Sequence, residues 1–162
     1  MSNARKAVNS EIIYRYILVI WLILGYIWTV RLSFIPYNEN NIWIVGDWLI
    51  NYQGGFVRRG IIGQLVYFLS VVTHITPKIY VLILHWFFYF VYFFSVGVLV
   101  LRSNSVLKYY LIVFSPFLMT FQILDYQGGF RKEIIFFALL SSTAVIGKIF
   151  EKRTFRKFAH FV

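Results

Sequence analysis

Apolar and polar residues fall in long blocks along this chain, not at the period of a strand or of an amphipathic helix. A polar, basic opening at 1–11, with Arg5 and Lys6, gives way to an almost unbroken apolar run at 12–30. A membrane-crossing helix needs about 20 such residues. The run is too long for the apolar part of a cleavable signal peptide, and no small-x-small site follows it, so it reads as a retained anchor. Arg15, near its start, can reach lipid headgroups along its own stem, and Trp21 and Trp28 suit lipid contact and the interface. Further apolar runs at 79–101, 109–124 and 134–150 read as spans, the second of these kinked at Pro116. The run at 61–75 is shorter, is interrupted by Gln64, Ser70 and Thr73, and is closed by Pro77. It reads as an interfacial or re-entrant helix, or as a short tilted span.

The pattern therefore predicts an all-α integral membrane protein, one polytopic domain over 1–162. It has about four transmembrane helices plus one interfacial or re-entrant helix, with five spans as the alternative. In the four-span arrangement residues 1–11 are a cytoplasmic tail. Residues 31–78 form an outer loop with an interfacial helix, 125–133 a second outer loop, and 151–162 a basic cytoplasmic tail. Charge favours four spans, because Arg5, Lys6, Arg102, Lys108, Lys152, Arg153, Arg156 and Lys157 then all lie inside. The outer loops still hold Arg31, Arg58, Arg59, Lys78, Arg131 and Lys132, against the usual bias, which an anionic ligand would explain.

Composition agrees with this pattern. The chain is 60% hydrophobic and 22% aromatic, with mean hydropathy +0.71, more than a soluble domain of this length can bury. In that setting the net charge of +10 points to anionic lipid or phosphate partners and not to nucleic acid. The absence of Cys excludes disulfides, thiolate chemistry and Cys-based metal sites. His74, His85 and His160 lack metal-ligand spacing and read as structural. No P-loop, nucleophile elbow, HExxH or dinucleotide-binding fingerprint is present.

Candidate chemistry lies in two polar islands that share a pentapeptide. Tyr52-Gln53-Gly54-Gly55-Phe56 recurs as Tyr126-Gln127-Gly128-Gly129-Phe130, each followed by a basic pair, Arg58-Arg59 and Arg131-Lys132. Paired glycines let the backbone approach a ligand, and their amides can cradle an anion that the basic pair then clamps. A plain turn with its cations on headgroups is the simpler reading of either copy alone; the duplication favours binding. Asp47 precedes the first island and Asp125 abuts the second, in a chain with only six acidic residues. Either carboxylate can act as a general base or help hold a divalent cation, or can simply neutralise nearby arginines. The copies are unequal, since Asn51 stands where Asp125 does and Gly60 where Glu133 does. Trp43, Trp48, Tyr52 and Phe56 read as an interfacial belt, with stacking on a sugar as the alternative.

An acidic first outer loop after one helix, and a second acidic outer loop one hairpin later, resembles the start of polytopic GT-C type glycosyltransferases. More loosely, it resembles bacterial polysaccharide polymerases. The resemblance is one of layout and implies sugar transfer from a polyprenyl-phosphate carrier at the outer face of the cytoplasmic (inner) membrane. It makes Asp47 the base or metal ligand and Asp125 a second acidic partner, with Arg58, Arg59, Arg131 and Lys132 on the pyrophosphate. Those enzymes have many more spans. The alternatives are therefore a non-catalytic transporter or assembly subunit working with other membrane subunits, or a truncated remnant of a larger membrane enzyme.

Overall fold

The computed structural model describes residues 2–38, 42–55, 60–103, 107–115 and 119–159. Among these every regular element is helical. The first helix, α1 (Ser2–Asn38), has 37 residues. The sequence pattern sets its limits at Ile12 and Val30; the structure begins it at Ser2 and carries it through Arg31 to Asn38. Two hydroxyls near its end bond back into the helix and so need no outside partner: Thr29 to the Gly25 carbonyl at 2.8 Å and Ser33 to that of Val30 at 2.6 Å.

A short α2 (Ile42–Leu49) leads to the first island, and α3 (Ile61–Thr73) follows it. Beyond the left-handed His74, α4 (Pro77–Arg102) opens with proline at its first position, where no amide hydrogen is needed. The turn between them is pinned by Ser70 to the Ile75 carbonyl at 2.7 Å and by the Thr73 and Tyr80 hydroxyls at 2.6 Å. Consequently α3 folds back along the first turns of α4. At the other end of α4, Arg15 donates to the carbonyls of Leu101 (3.0 Å) and Ser103 (2.7 Å), satisfying groups that a helix terminus leaves open.

The described part of residues 109–124 is not one continuous helix. α5 (Leu107–Val113) is seven residues long, and only after a turn does the four-residue α6 (Phe121–Leu124) begin. In that turn the Ser115 carbonyl accepts both the amide (3.4 Å) and the hydroxyl (2.8 Å) of Thr120. Polar side chains thus offer the backbone an alternative to the helical ladder. Pro116, read above as the kink, lies outside the described residues. A single turn, α7 (Tyr126–Gly129), holds most of the second island, and α8 (Ile134–Ala159) completes the chain.

Among the described residues, two helices are long and apolar enough to cross a membrane: Glu11–Asn38 of α1, and α4. The apolar helices Ile61–Thr73 and Ile134–Phe150 are shorter. Tyr26 donates to the Trp86 carbonyl (3.4 Å) and Trp86 to Ser33 (2.8 Å); with Arg15 beside Ser103, these contacts make α1 and α4 antiparallel. By contrast α8 runs with α4: Tyr92 packs on Phe137, and the Ser95 and Ser142 hydroxyls meet at 3.4 Å. Leu18, Leu22, Phe93, Val96 and Ala138 are buried among these helices. The outer faces stay apolar, with Ile13, Ile20 and Leu24 on α1, Phe90 and Phe94 on α4, and Phe136 and Leu140 on α8 all exposed.

Candidate functional site

Identical pentapeptides fold in two ways. In the first copy Asn51 Oδ1 accepts the amide of Gln53 at 3.0 Å, and Gly55 closes a turn onto the Tyr52 carbonyl at 3.1 Å. Gly55 has φ +117°, a backbone region that favours glycine. In the second copy Asp125 Oδ1 accepts from the amide of Gly128 at 3.0 Å and caps α7. The amides of Gly129, Phe130 and Arg131 then bond to the carbonyls of Asp125, Tyr126 and Gly128. An anion cradle made of glycine amides is thus absent from the second copy, whose donors serve its own helical turn. Gln127 is exposed, and its side-chain amide approaches the Tyr126 hydroxyl at 3.3 Å.

The second island packs against the middle of α4. Tyr89 stands about 18 Å from Pro77 and about 20 Å from Arg102 at 1.5 Å per residue, and its hydroxyl donates to the Gly129 carbonyl at 2.6 Å. The Phe130 ring stacks on His85 at 4.4 Å, and the Phe130 carbonyl accepts from the Trp48 indole at 2.6 Å. Trp48 and His85 are almost fully buried. His85 Nε2 lies 3.4 Å from the carbonyl that Tyr89 already holds, while its buried Nδ1 has no hydrogen-bond partner among the described residues. The structural reading of His85 fits this packing.

Asp47 and Lys132 meet. The ammonium lies 3.3 Å from Asp47 Oδ1 and donates to the Asp47 carbonyl at 2.8 Å; the lysine side chain is 7% exposed and the aspartate's 29%. The sequence offers Asp47 as a base and Lys132 as a phosphate ligand, and the structure joins them as an ion pair tying α2 to the start of α8. Among the described residues, Asp47 thus pairs with a cation of the distant second island.

What remains of the second island forms a cleft of about 420 Å³. Tyr89 and Tyr92 of α4, Gln122 of α6, Asp125, Arg131 and Glu133 are among its walls. Asp125, Arg131 and Glu133 are exposed, whereas Gln122 is buried and bonds to the Met119 carbonyl. Gly128 and Gly129 line the cleft; a Cβ on Gly129 would run into the backbone of Gln122, whereas one on Gly128 would meet only the movable side-chain ends of Asp125 and Phe121. Two carboxylates and one guanidinium at a mixed polar and aromatic wall can accept sugar hydroxyls and hold a phosphate.

Tyr52, Gln53, Gly54 and Gly55 do not line this cleft. The Tyr52 amide donates to Gln64 Oε1 at 3.1 Å, and its ring lies against Gly60, which ties the first island to α3. Phe56, Arg58 and Arg59 lie outside the described residues. Among the described residues no group of three or more His, Asp or Glu is placed to hold a metal ion. Sequence reasoning passed over Tyr89, Tyr92 and Gln122 as site residues. The spacing of His85, Tyr89 and Tyr92 puts them on one helical face and was the available signal. Comparison with protein-family models, curated proteins and solved structures finds no match.

Proposed function

We propose that this chain is a multi-pass protein of the cytoplasmic membrane that handles lipid-linked sugars, with the second-island cleft as its working site. The observation that carries the reading is the meeting of Asp125, Glu133 and Arg131 in a cleft between helices whose outer faces are exposed and apolar. In the transfer reaction, Asp125 or Glu133 takes the proton of an acceptor hydroxyl as its oxygen attacks the anomeric carbon. The carrier phosphate leaves against Arg131. A general base contributes roughly a hundredfold or more to such a step. Asp125→Asn keeps a side chain able to cap α7, and Glu133→Gln keeps size. Whichever of the two removes the base is expected to cut glycan product about a hundredfold at equal membrane levels, read by quantifying lipid-linked and surface sugars. Unchanged product in both variants removes the transferase reading.

One observation favours a second reading, a non-catalytic subunit of lipid or polysaccharide transport or assembly. Asp47, the acidic residue that the layout resemblance singles out, is held by Lys132. Under this reading the islands are docking elements, and the aspartate and glutamate variants leave sugar chemistry intact.

A further inference from the structure

A second concavity adjoins the cleft. It has a volume of about 610 Å³ and lies between the start of α3 and the start of α8. Ile61, Ile62, Ile135, Phe136 and Leu139 line it, and Lys132 and Glu133 stand at one end. Glu133 and Phe137 belong to both cavities. Among the described residues of its lining, the charged groups are thus the adjacent Lys132 and Glu133, and apolar residues follow them along α8.

This differs from the groove between α1 and α4. That groove, about 350 Å³, is bounded by Val19, Leu22, Phe90, Phe94 and similar residues, with no charged group in its wall. Such a surface suits any lipid tail. The α3–α8 groove is instead continuous with a guanidinium and two carboxylates. A partner helix filling it would leave those charges facing an apolar surface, which is costly. An amphiphile satisfies both ends at once.

We propose that cleft and groove form one binding site for a membrane amphiphile, its phosphate-bearing head held at Arg131 and its hydrocarbon chain laid along Ile135, Phe136 and Leu139. The proposal rests on the cleft reading given above and adds the path of the chain. Arg131 gives a charge-assisted contact to the phosphate, and burial of the chain adds a favourable contribution wherever methylenes leave water. Inside a bilayer that second contribution largely vanishes, so recognition rests on the head and on groove shape.

The test uses the full chain in phosphatidylcholine nanodiscs. The probe is a long-chain isoprenyl monophosphate carrying a diazirine on its hydrocarbon chain, and labelled peptides are located by mass spectrometry. Label is expected to concentrate on the first turns of α8 and the start of α3. Leu139→Trp fills the groove and should reduce that label about tenfold, as should Arg131→Gln, a loss equal to one decade of affinity. Leu140→Trp, at an exposed position outside the groove, should leave it unchanged. The corresponding isoprenol, without phosphate, should not respond to Arg131→Gln. Label spread evenly over the outer faces of α1 and α4, or indifferent to Leu139→Trp, overturns the proposal. Competition by inorganic phosphate as effective as by unlabelled amphiphile also overturns it, in favour of a free-anion site. Labelling at the groove with unchanged sugar products in the Asp125→Asn and Glu133→Gln variants retains the lipid site and removes transfer, so the two readings fail separately.

Discussion

Lys132 is buried to the point that its ammonium depends on Asp47, and the partner is not fully exposed either. Exposed ion pairs contribute up to about 1 kcal/mol, whereas breaking a fully buried one costs about 3–5 kcal/mol. This pair lies between those limits, and the lysine also donates to the Asp47 carbonyl. Lys132→Met keeps length and removes both contacts, so it should destabilise the protein by about 2 kcal/mol. Asp47→Asn retains the backbone contact but takes the carboxylate away from the more buried ammonium, so it should cost at least as much. In the double variant both charges of the pair are gone, and a coupling of about 1 kcal/mol is expected from thermal unfolding in detergent. Strict additivity would mean that the pair carries no weight. The contact also explains why residue type alone could not separate binding groups from structural ones. The two residues are 85 positions apart in the chain, and nothing in either island's pattern indicates that one neutralises the other.

At the level of elements, the junction of α2 and α3 turns on Gly63. A Cβ there would run into the carbonyl of Ile50, a backbone atom that cannot move aside as a side chain could. Gly63→Ala should therefore lower stability by about 2–3 kcal/mol. Gly147→Ala, on α8 with open space around it, should be neutral or stabilising by up to about 1 kcal/mol, since alanine is the better helix former. The pair of midpoints, measured in one detergent, checks this, and equal effects would refute the close approach. The apolar runs at 12–30 and 79–101 could be read directly, because uniform apolar composition over that length permits little but a helix. In 109–124 Pro116 marked an interruption, but the turn in which Thr120 reaches the Ser115 carbonyl was not legible, being a matter of turn geometry and not of composition. The repeat was legible as sequence but not as structure. Asn51 bonds two residues ahead and Asp125 three, and that one-residue difference turns one copy into an open turn and the other into a capped helical turn.

For the whole molecule, direction matters more than helix count. α1 is antiparallel to α4, α8 runs with α4, and α3 returns along the first turns of α4 without extending the bundle at its far end. The broken segment 107–124 has to lead from the Arg102 end of α4 back to the level of Tyr89, where the second island packs. Asp47 and Trp48, just ahead of the first island, reach Lys132 and Phe130 of the second, so the approach to the first island meets the second near the level of Tyr89, midway along α4. In the four-span arrangement expected from the sequence, the islands share one side and the basic residues around Arg102 and Lys108 share the other, in keeping with the bias that keeps cations inside. The chain has no Cys, so single cysteines report without background. Gln53→Cys and Gln127→Cys occupy exposed positions and should react with a membrane-impermeant thiol reagent in intact cells. Arg102→Cys should react only after permeabilisation. Labelling of Gln53→Cys and Gln127→Cys from opposite sides would require α3 to cross, giving five spans. It would also separate the first island from the cleft and leave the second island alone to meet any lipid-linked substrate.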